Sequence, residues 1–75
     1  MNKTITKILL LLKQKGAVVV RHPNEKSTIT IVDSLVDPIH HTLKFFWYGE
    51  DTDAEYLIGS PAFSFADVEV MEDRL

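Results

Sequence analysis

Residues 40–55, HHTLKFFWYGEDTDAE, decide the fold, because four aromatic side chains in a row run directly into a turn rich in acids. Successive side chains of a β-strand point to opposite faces of its sheet. A strand over residues 39–48 therefore has a core face and a second face that is also aromatic. The core face comprises Ile39, His41, Leu43, Phe45 and Trp47, and the other comprises His40, Thr42, Lys44, Phe46 and Tyr48.

The residues before this strand predict a helix followed by a β-hairpin. Ile5, Ile8, Leu9 and Leu12 form one helical stripe over residues 3–15, while Leu10 and Leu11 fall outside it. Asn2 or Thr4 can cap the start of the helix, and Gly16 can end it. The β-branched runs at residues 17–22 and 27–33 are typical of paired strands, and residues 33–38 indicate a loop.

The residues after the strand predict a turn at 49–54, a short strand at 55–59 and a fifth strand at 67–72. Between the last two we expect a compact turn at 62–66 that packs Phe63 and Phe65, although a helix over 62–71 is the alternative. The prediction is one α+β domain over residues 1–75. Its N-terminal helix packs on a small antiparallel meander sheet of four to five strands, with curling towards an open barrel as a variant.

Length and composition limit the class of protein. The 75 residues contain no cysteine, so a small core must be stabilised without disulfides. The apolar run at residues 8–12 is too short for a signal peptide or a membrane span, which predicts a cytoplasmic protein without membrane contact. Residues 1–15 carry four lysines and no acid, whereas residues 50–75 carry eight acids and one base. We expect these opposite charges to lie on two solvated faces, and their mutual neutralisation on folding is the alternative.

Phe46 and Tyr48 are the strongest candidates for a partner-binding surface. They are adjacent on the face opposite the core, and Glu50, Asp51 and Asp53 follow at once in the turn. An aromatic centre with a charged rim is a common composition for protein interfaces. Leu10 and Leu11, outside the helical stripe, are the candidates for self-association, and a homodimer is accordingly a possible form.

Metal binding and catalysis have little support in the sequence. His40 and His41 are neighbours on a predicted strand and cannot chelate one ion together, and residues 50–55 lack the register of a calcium loop. The chain has no cysteine nucleophile, no G-x-S-x-G elbow and no phosphate-binding glycine loop. We therefore predict no enzyme activity, no metal and no cofactor.

The leading functional hypothesis is a small non-catalytic protein-binding module that inhibits or regulates a larger protein. Accessory proteins of phages and other mobile elements often belong to this class, and the partner is expected to be basic or to bind nucleic acid. The alternatives are a structural homo-oligomer and an acidic DNA mimic that blocks a nucleic-acid-binding enzyme. The net charge of −3 opposes direct binding of nucleic acid.

Overall fold

The computed structural model describes residues 2–50 and 56–72. One helix packs on a five-stranded antiparallel sheet with the spatial order β4-β3-β2-β1-β5. The elements are α1 (Lys3–Lys15), β1 (Val18–Arg21), β2 (Ile29–Asp37), β3 (Thr42–Gly49), β4 (Ile58–Pro61), a 3₁₀ turn (Ala62–Phe65) and β5 (Glu69–Val70). The predicted α+β class is confirmed, with β1–β4 as a meander. The strand β5 instead pairs with β1 at the far edge, and the sheet is not closed into a barrel.

The predicted helix is confirmed at both ends. The Oδ1 of Asn2 accepts hydrogen bonds from the backbone N–H groups of Thr4 (2.7 Å) and Ile5 (3.3 Å), which makes Asn2 the N-cap. Gly16 ends the helix in the left-handed conformation (φ 83°), and its N–H donates to the carbonyl of Leu12. A residue with a side chain would be strained at that φ, so glycine is the residue suited to this position.

The packed face of α1 differs from the predicted stripe. Ile5, Ile8 and Leu11 are buried, whereas Leu9 and Leu12 pack only partly against the core. At about 100° per residue, Leu11 lies about 60° from the fully buried Ile8 and Leu9 about 100° away, so an arc centred on Ile8 includes Leu11 first. The prediction of Leu11 as a self-association residue is therefore wrong, because its side chain belongs to the core. Leu10 is 53% exposed.

The core lies between α1, the inner face of the sheet and the 3₁₀ turn. Its fully buried residues are Ile8, Val18, Val20, Ile31, Phe45 and Phe65. Phe65 packs edge-on against Phe45 and Trp47, with ring centroids 5.5 and 6.5 Å apart. The predicted inward orientation of Phe45 and Trp47 is confirmed, and the indole N–H of Trp47 donates to Ser60 Oγ (2.9 Å).

The compact turn expected at residues 62–66 forms, but it buries only one of its two phenylalanines. Phe65 is 1% exposed, whereas Phe63 is 76% exposed. A 3₁₀ helix has about three residues per turn, so residues two apart point in different directions. The prediction that the turn packs Phe63 against the protein is therefore wrong.

The hairpin of β2 and β3 is longer than predicted on the β2 side and shorter on the β3 side. Its last pair is Asp37 with Thr42, so residues 33–37 form a strand rather than a loop. The carboxylate of Asp37 accepts from the N–H groups of Ile39 and His40, which fixes a turn over residues 38–41. Ile39 is 83% exposed in this turn and His41 has φ 53°, so neither belongs to the core face as predicted.

Two ion pairs join segments that are far apart in the sequence. Lys7 of α1 pairs with Glu72, and Arg21 of β1 pairs with Glu69 of β5 at 2.6 Å. Folding thus brings part of the acidic C-terminal third onto bases from the N-terminal third. For these residues the alternative of mutual neutralisation holds, and the prediction of two separate solvated faces is wrong. No helix among the described residues is long and apolar enough to cross a membrane.

Candidate functional site, the open face of the sheet

The sheet has an open face, which we define as Val19, Thr30, Asp33, Leu35, Lys44, Phe46 and Tyr48. The strand register places these side chains opposite the core residues: Val19 pairs with Thr30 and Thr30 with Tyr48, while Asp33 pairs with Phe46 and Leu35 with Lys44. The alternating neighbours Val18, Val20, Ile31 and Phe45 point into the core. Within the described part of the chain, α1 and the 3₁₀ turn both pack on the core side of the sheet.

Phe46 and Tyr48 occupy the middle of the open face and are both half-buried. Phe46 pairs across the sheet with Gly59 of β4. A Cβ atom at Gly59 would lie 3.0 Å from Cε1 of Phe46 and 3.2 Å from Cδ of Lys44. The missing side chain at Gly59 therefore gives the Phe46 ring and the Lys44 stem room to lie flat against the backbone of β4.

Glu50 lies at the end of the same strand, but its carboxylate has a partner within the protein. Its Oε2 accepts from the N–H (2.9 Å) and the hydroxyl (3.3 Å) of Thr28, and its own N–H donates to the carbonyl of Thr28 (3.1 Å). These bonds extend the pairing of β2 and β3 by one step. Glu50 thus has a structural role that the sequence did not indicate, and one carboxylate oxygen is committed to it.

Asp51 and Asp53, the other two predicted rim acids, lie outside the described residues. The structure therefore brings together Phe46, Tyr48 and the backbone of Glu50 at one end of β3. The charged groups on or beside the open face are Asp33 (paired with Phe46), Lys44, and the Arg21–Glu69 pair at the β1–β5 edge. An apolar centre between charges of both signs suits contact with another protein.

Leu35 extends the open face, and the sequence analysis missed it. The sheet register shifts between Ile31 and Asp33, so one extra residue interrupts the strict alternation of β2. Leu35 and Val36 are therefore adjacent apolar residues that do not fit the alternation of a strand, and the sequence analysis assigned them to a loop. Both lie in a paired strand and are 56% and 66% exposed. The apolar pair Leu35-Val36 between Ser34 and Asp37 was the feature of the sequence that could have indicated a strand here.

Two of the three histidines, His22 and His40, make side-chain contacts within the protein. The Nε2 of His22 lies 3.0 Å from the carbonyl of Ser64, and its ring packs on Phe65. The Nδ1 of His40 lies 2.7 Å from Oδ2 of Asp37, and this side-chain hydrogen bond, with the N–H groups of His40 and Ile39, lowers the pKa of Asp37. Over residues 2–50 and 56–72, no group of three or more histidine or acidic residues is arranged to hold a metal ion.

Comparison with known proteins gives no match to a family model, to a curated protein or to a solved structure. The function of the chain therefore has to be argued from its surfaces.

Proposed function

We propose that this chain is a non-catalytic protein-binding module that acts by occupying a surface of a larger protein, with Phe46 and Tyr48 as its anchors. The observation that supports this proposal is the open face itself. One face of the sheet is covered by α1 and the 3₁₀ turn, while the other presents two adjacent, half-buried aromatic rings that the described elements leave partly accessible.

Aromatic residues in the centre of a surface are the usual source of binding energy. Phe and Tyr lose much surface to water when they are buried, and each has few rotamers to restrict. Phe46 is already positioned by its contact with Gly59, so little side-chain freedom remains to be lost on binding. The mode of action that fits such a surface is inhibition or regulation of the partner by blocking the site it covers.

The DNA-mimic alternative is weaker than the protein-binding proposal. A mimic needs a continuous array of acids to replace a phosphate backbone. Among the described acids, Glu69 and Glu72 are neutralised by Arg21 and Lys7, Asp37 pairs with His40, and Glu50 bonds to Thr28. These four of the seven described acids thus make contacts within the fold, which leaves no continuous array among the described acids, and we do not propose a mimic.

The experiment that tests the proposal is a quantitative capture from cells of the source or its host. The bait is the full chain, compared with a Phe46→Ser/Tyr48→Ser variant and with Leu10→Ser as the matched control. Leu10 is an exposed apolar residue on α1, away from the open face. We expect a specific protein on the wild type and on Leu10→Ser and its loss from the double variant. Equal capture by all three, with melting curves showing that each is folded, would contradict the proposal.

Once the partner is identified, kinetics separate the anchors from the acids. Tyr48→Ala should weaken binding by about 1–3 kcal/mol, mainly through faster dissociation, since a buried ring is lost from the complex. Tyr56→Ala is the matched control, because Tyr56 is 69% exposed and precedes the paired part of β4. Asp51→Asn/Asp53→Asn should mainly slow association with a basic partner, and this difference should disappear in high salt.

A further inference from the structure

Part of β2 forms an edge of the sheet in addition to the two outer strands. β1 pairs with β2 only as far as Ile31, so residues 33–37 of β2 have β3 on one side and no described strand on the other. We define these five residues as the free edge. An unpaired edge presents backbone N–H and C=O groups to which a strand of another chain can pair.

The two outer strands are protected by their length and composition, and the free edge is not. β5 has two residues, Glu69–Val70, and β4 has four, Ile58–Pro61. Short strands and proline, which lacks an N–H group, both limit pairing with other chains. The free edge has five residues and neither proline nor glycine, and its apolar centre, Leu35 and Val36, is exposed. Such a segment needs another form of protection.

Asp33, the first residue of the free edge, occupies one of its hydrogen-bond donors. The Oδ1 of Asp33 accepts from the N–H of Ser34 (2.8 Å). The N–H groups of an antiparallel strand alternate between its two neighbours. Because this N–H bonds to the side chain next to it in the sequence, we place it on the side away from β3, where a further strand would pair. The Asp33 carboxylate thus competes with any such strand for the Ser34 donor.

The charge of Asp33 also opposes pairing between two copies of the chain. In an antiparallel pairing centred on Leu35, Asp33 of each copy would face Asp37 of the other. Like charges directly opposite each other are destabilising, and the symmetric pairing contains this contact twice. The register shift between Ile31 and Asp33 makes the strand irregular at the same place. Charged side chains and bulges are both ways in which proteins protect their edges.

We propose that Asp33 is a gatekeeper residue, which prevents the free edge from pairing with the same edge of a second copy of this chain. The surroundings of Asp33 fit this role, because its side chain is exposed and takes part in none of the ion pairs among the described residues. The fold therefore depends little on this carboxylate. Its removal exposes an apolar strand whose N–H and C=O groups are available to another chain.

This proposal does not depend on the protein-binding proposal. Strand pairing at the free edge uses backbone groups in the plane of the sheet, whereas the proposed partner binds the rings on the open face. Self-association is measured on the purified chain alone, so the two proposals can fail separately.

Sedimentation velocity over a series of micromolar concentrations tests the gatekeeper role on three full-length proteins, the wild type, Asp33→Val and Glu25→Val. Glu25 is an exposed acid in the loop before β2, at the opposite end of that strand from the free edge. Its substitution removes the same charge and adds the same apolar side chain, which makes it the matched control. A dimer formed through any other surface appears equally in all three proteins.

We expect Asp33→Val to associate at concentrations about ten-fold or more below those at which the wild type does, because two repulsive contacts are lost and the Ser34 donor is released. Glu25→Val should associate as the wild type does. Asp33→Ala, with a smaller apolar side chain, should change association in the same direction as Asp33→Val. If neither Asp33 variant associates more readily than Glu25→Val, the proposal is wrong.

A second substitution shows whether the copies meet at the free edge. Val36 follows Ser34 by two residues, so its N–H points to the same side of β2. Proline at this position removes that donor and obstructs a further strand, while the bonds to β3 remain. We expect Asp33→Val/Val36→Pro to return to the wild-type association, with melting curves showing that each variant is folded. A folded double variant that associates as Asp33→Val does would contradict pairing through this edge.

Discussion

Phe45 and Phe46 are adjacent and chemically identical, and they lie in very different surroundings. Phe45 is 0% exposed and contacts Phe65 in the core, whereas Phe46 lies half-buried on the open face beside Gly59. The difference arises from the topology, because the one described helix covers one face of the sheet. The comparison teaches that alternation divides the FFWY run between two environments. Phe45 and Trp47 pack in the core, while Phe46 and Tyr48 lie on the open face, where we propose that they bind a partner.

The largest expected effect comes from truncating these two neighbours. Phe45→Ala should reduce the free energy of unfolding by about 3–5 kcal/mol, since it leaves a cavity in a fully buried site. Phe46→Ala should cost about 1 kcal/mol, because part of its ring already contacts water. Urea denaturation of both variants measures the difference. Equal losses of unfolding free energy would contradict the difference between the two faces.

The helix α1 offers the same comparison between a buried and an exposed neighbour, Leu11 and Leu10. Leu11→Ala should cost about 2–5 kcal/mol, whereas Leu10→Ala should fall within about 0.5 kcal/mol of the wild type. Leu9→Ala should lie between them, because Leu9 is only partly buried. Chemical denaturation of the three variants ranks the positions around α1. A Leu9 variant less stable than the Leu11 variant would restore the stripe predicted from the sequence.

The helix α1, which covers the core face of the sheet, is stabilised by its N-cap, Asn2. Asn2→Ala should destabilise the protein by about 1 kcal/mol, because the N–H groups of Thr4 and Ile5 lose their acceptor. Asn2→Asp is the control, since its carboxylate can accept the same bonds and also suits the positive end of the helix dipole. If Asn2→Ala melts at the wild-type temperature, the N-cap does not contribute to the stability of the protein.

The smallest expected effects on stability come from two acids with lowered pKa values, Asp37 and Glu72. Hydrogen bonding to His40 lowers the pKa of Asp37 below its ordinary value of 3.8, and bonding to Lys7 lowers the pKa of Glu72 below 4.5. A carboxyl group with a lowered pKa in the folded state stabilises the protein above its unfolded pKa. That contribution is lost as the pH falls through the folded pKa.

Carboxyl NMR titration measures both of these pKa values. We expect midpoints below the ordinary values for both residues, and Lys7→Ala should move that of Glu72 upward while leaving Asp37 unchanged. Both groups are well exposed, so the effect on stability should be small and confined to acidic pH. If the titration midpoint of Glu72 is the same in the wild type and in Lys7→Ala, this ion pair does not form in solution.

Local signals in the sequence predicted the parts of this fold that depend on neighbouring residues. The helix limits follow from Asn2 and Gly16, and the alternation in β3 correctly assigned Phe45 to the core. The two sides of α1 were less predictable, because the choice between Leu9 and Leu11 depends on where the sheet lies and not on spacing alone. Residues 33–37 of β2 could not be predicted as a strand for a related reason. The irregularity after Ile31 shifts the alternation, and pairing with β3 then makes a strand of residues that resemble a loop.

The candidate site was predictable in part. Alternation placed Phe46 and Tyr48 together opposite the core, but no local pattern shows that Glu50 would bond to Thr28, which precedes it by more than twenty residues. The cavity between Leu9 of α1 and Val36 of the β2–β3 hairpin was not predictable, because only the tertiary structure brings these two elements together.

Paramagnetic attenuation of side-chain NMR signals by a soluble nitroxide tests the central claim most directly, that one aromatic face of the sheet is covered and the other open. The measurement uses the unmodified chain at a concentration where it is monomeric. The account predicts strong broadening of the ring signals of Phe46 and Tyr48 and little or none for Phe45, which is 0% exposed. Equal attenuation of Phe45 and Phe46, or protection of Phe46 and Tyr48 in the monomer, would contradict it.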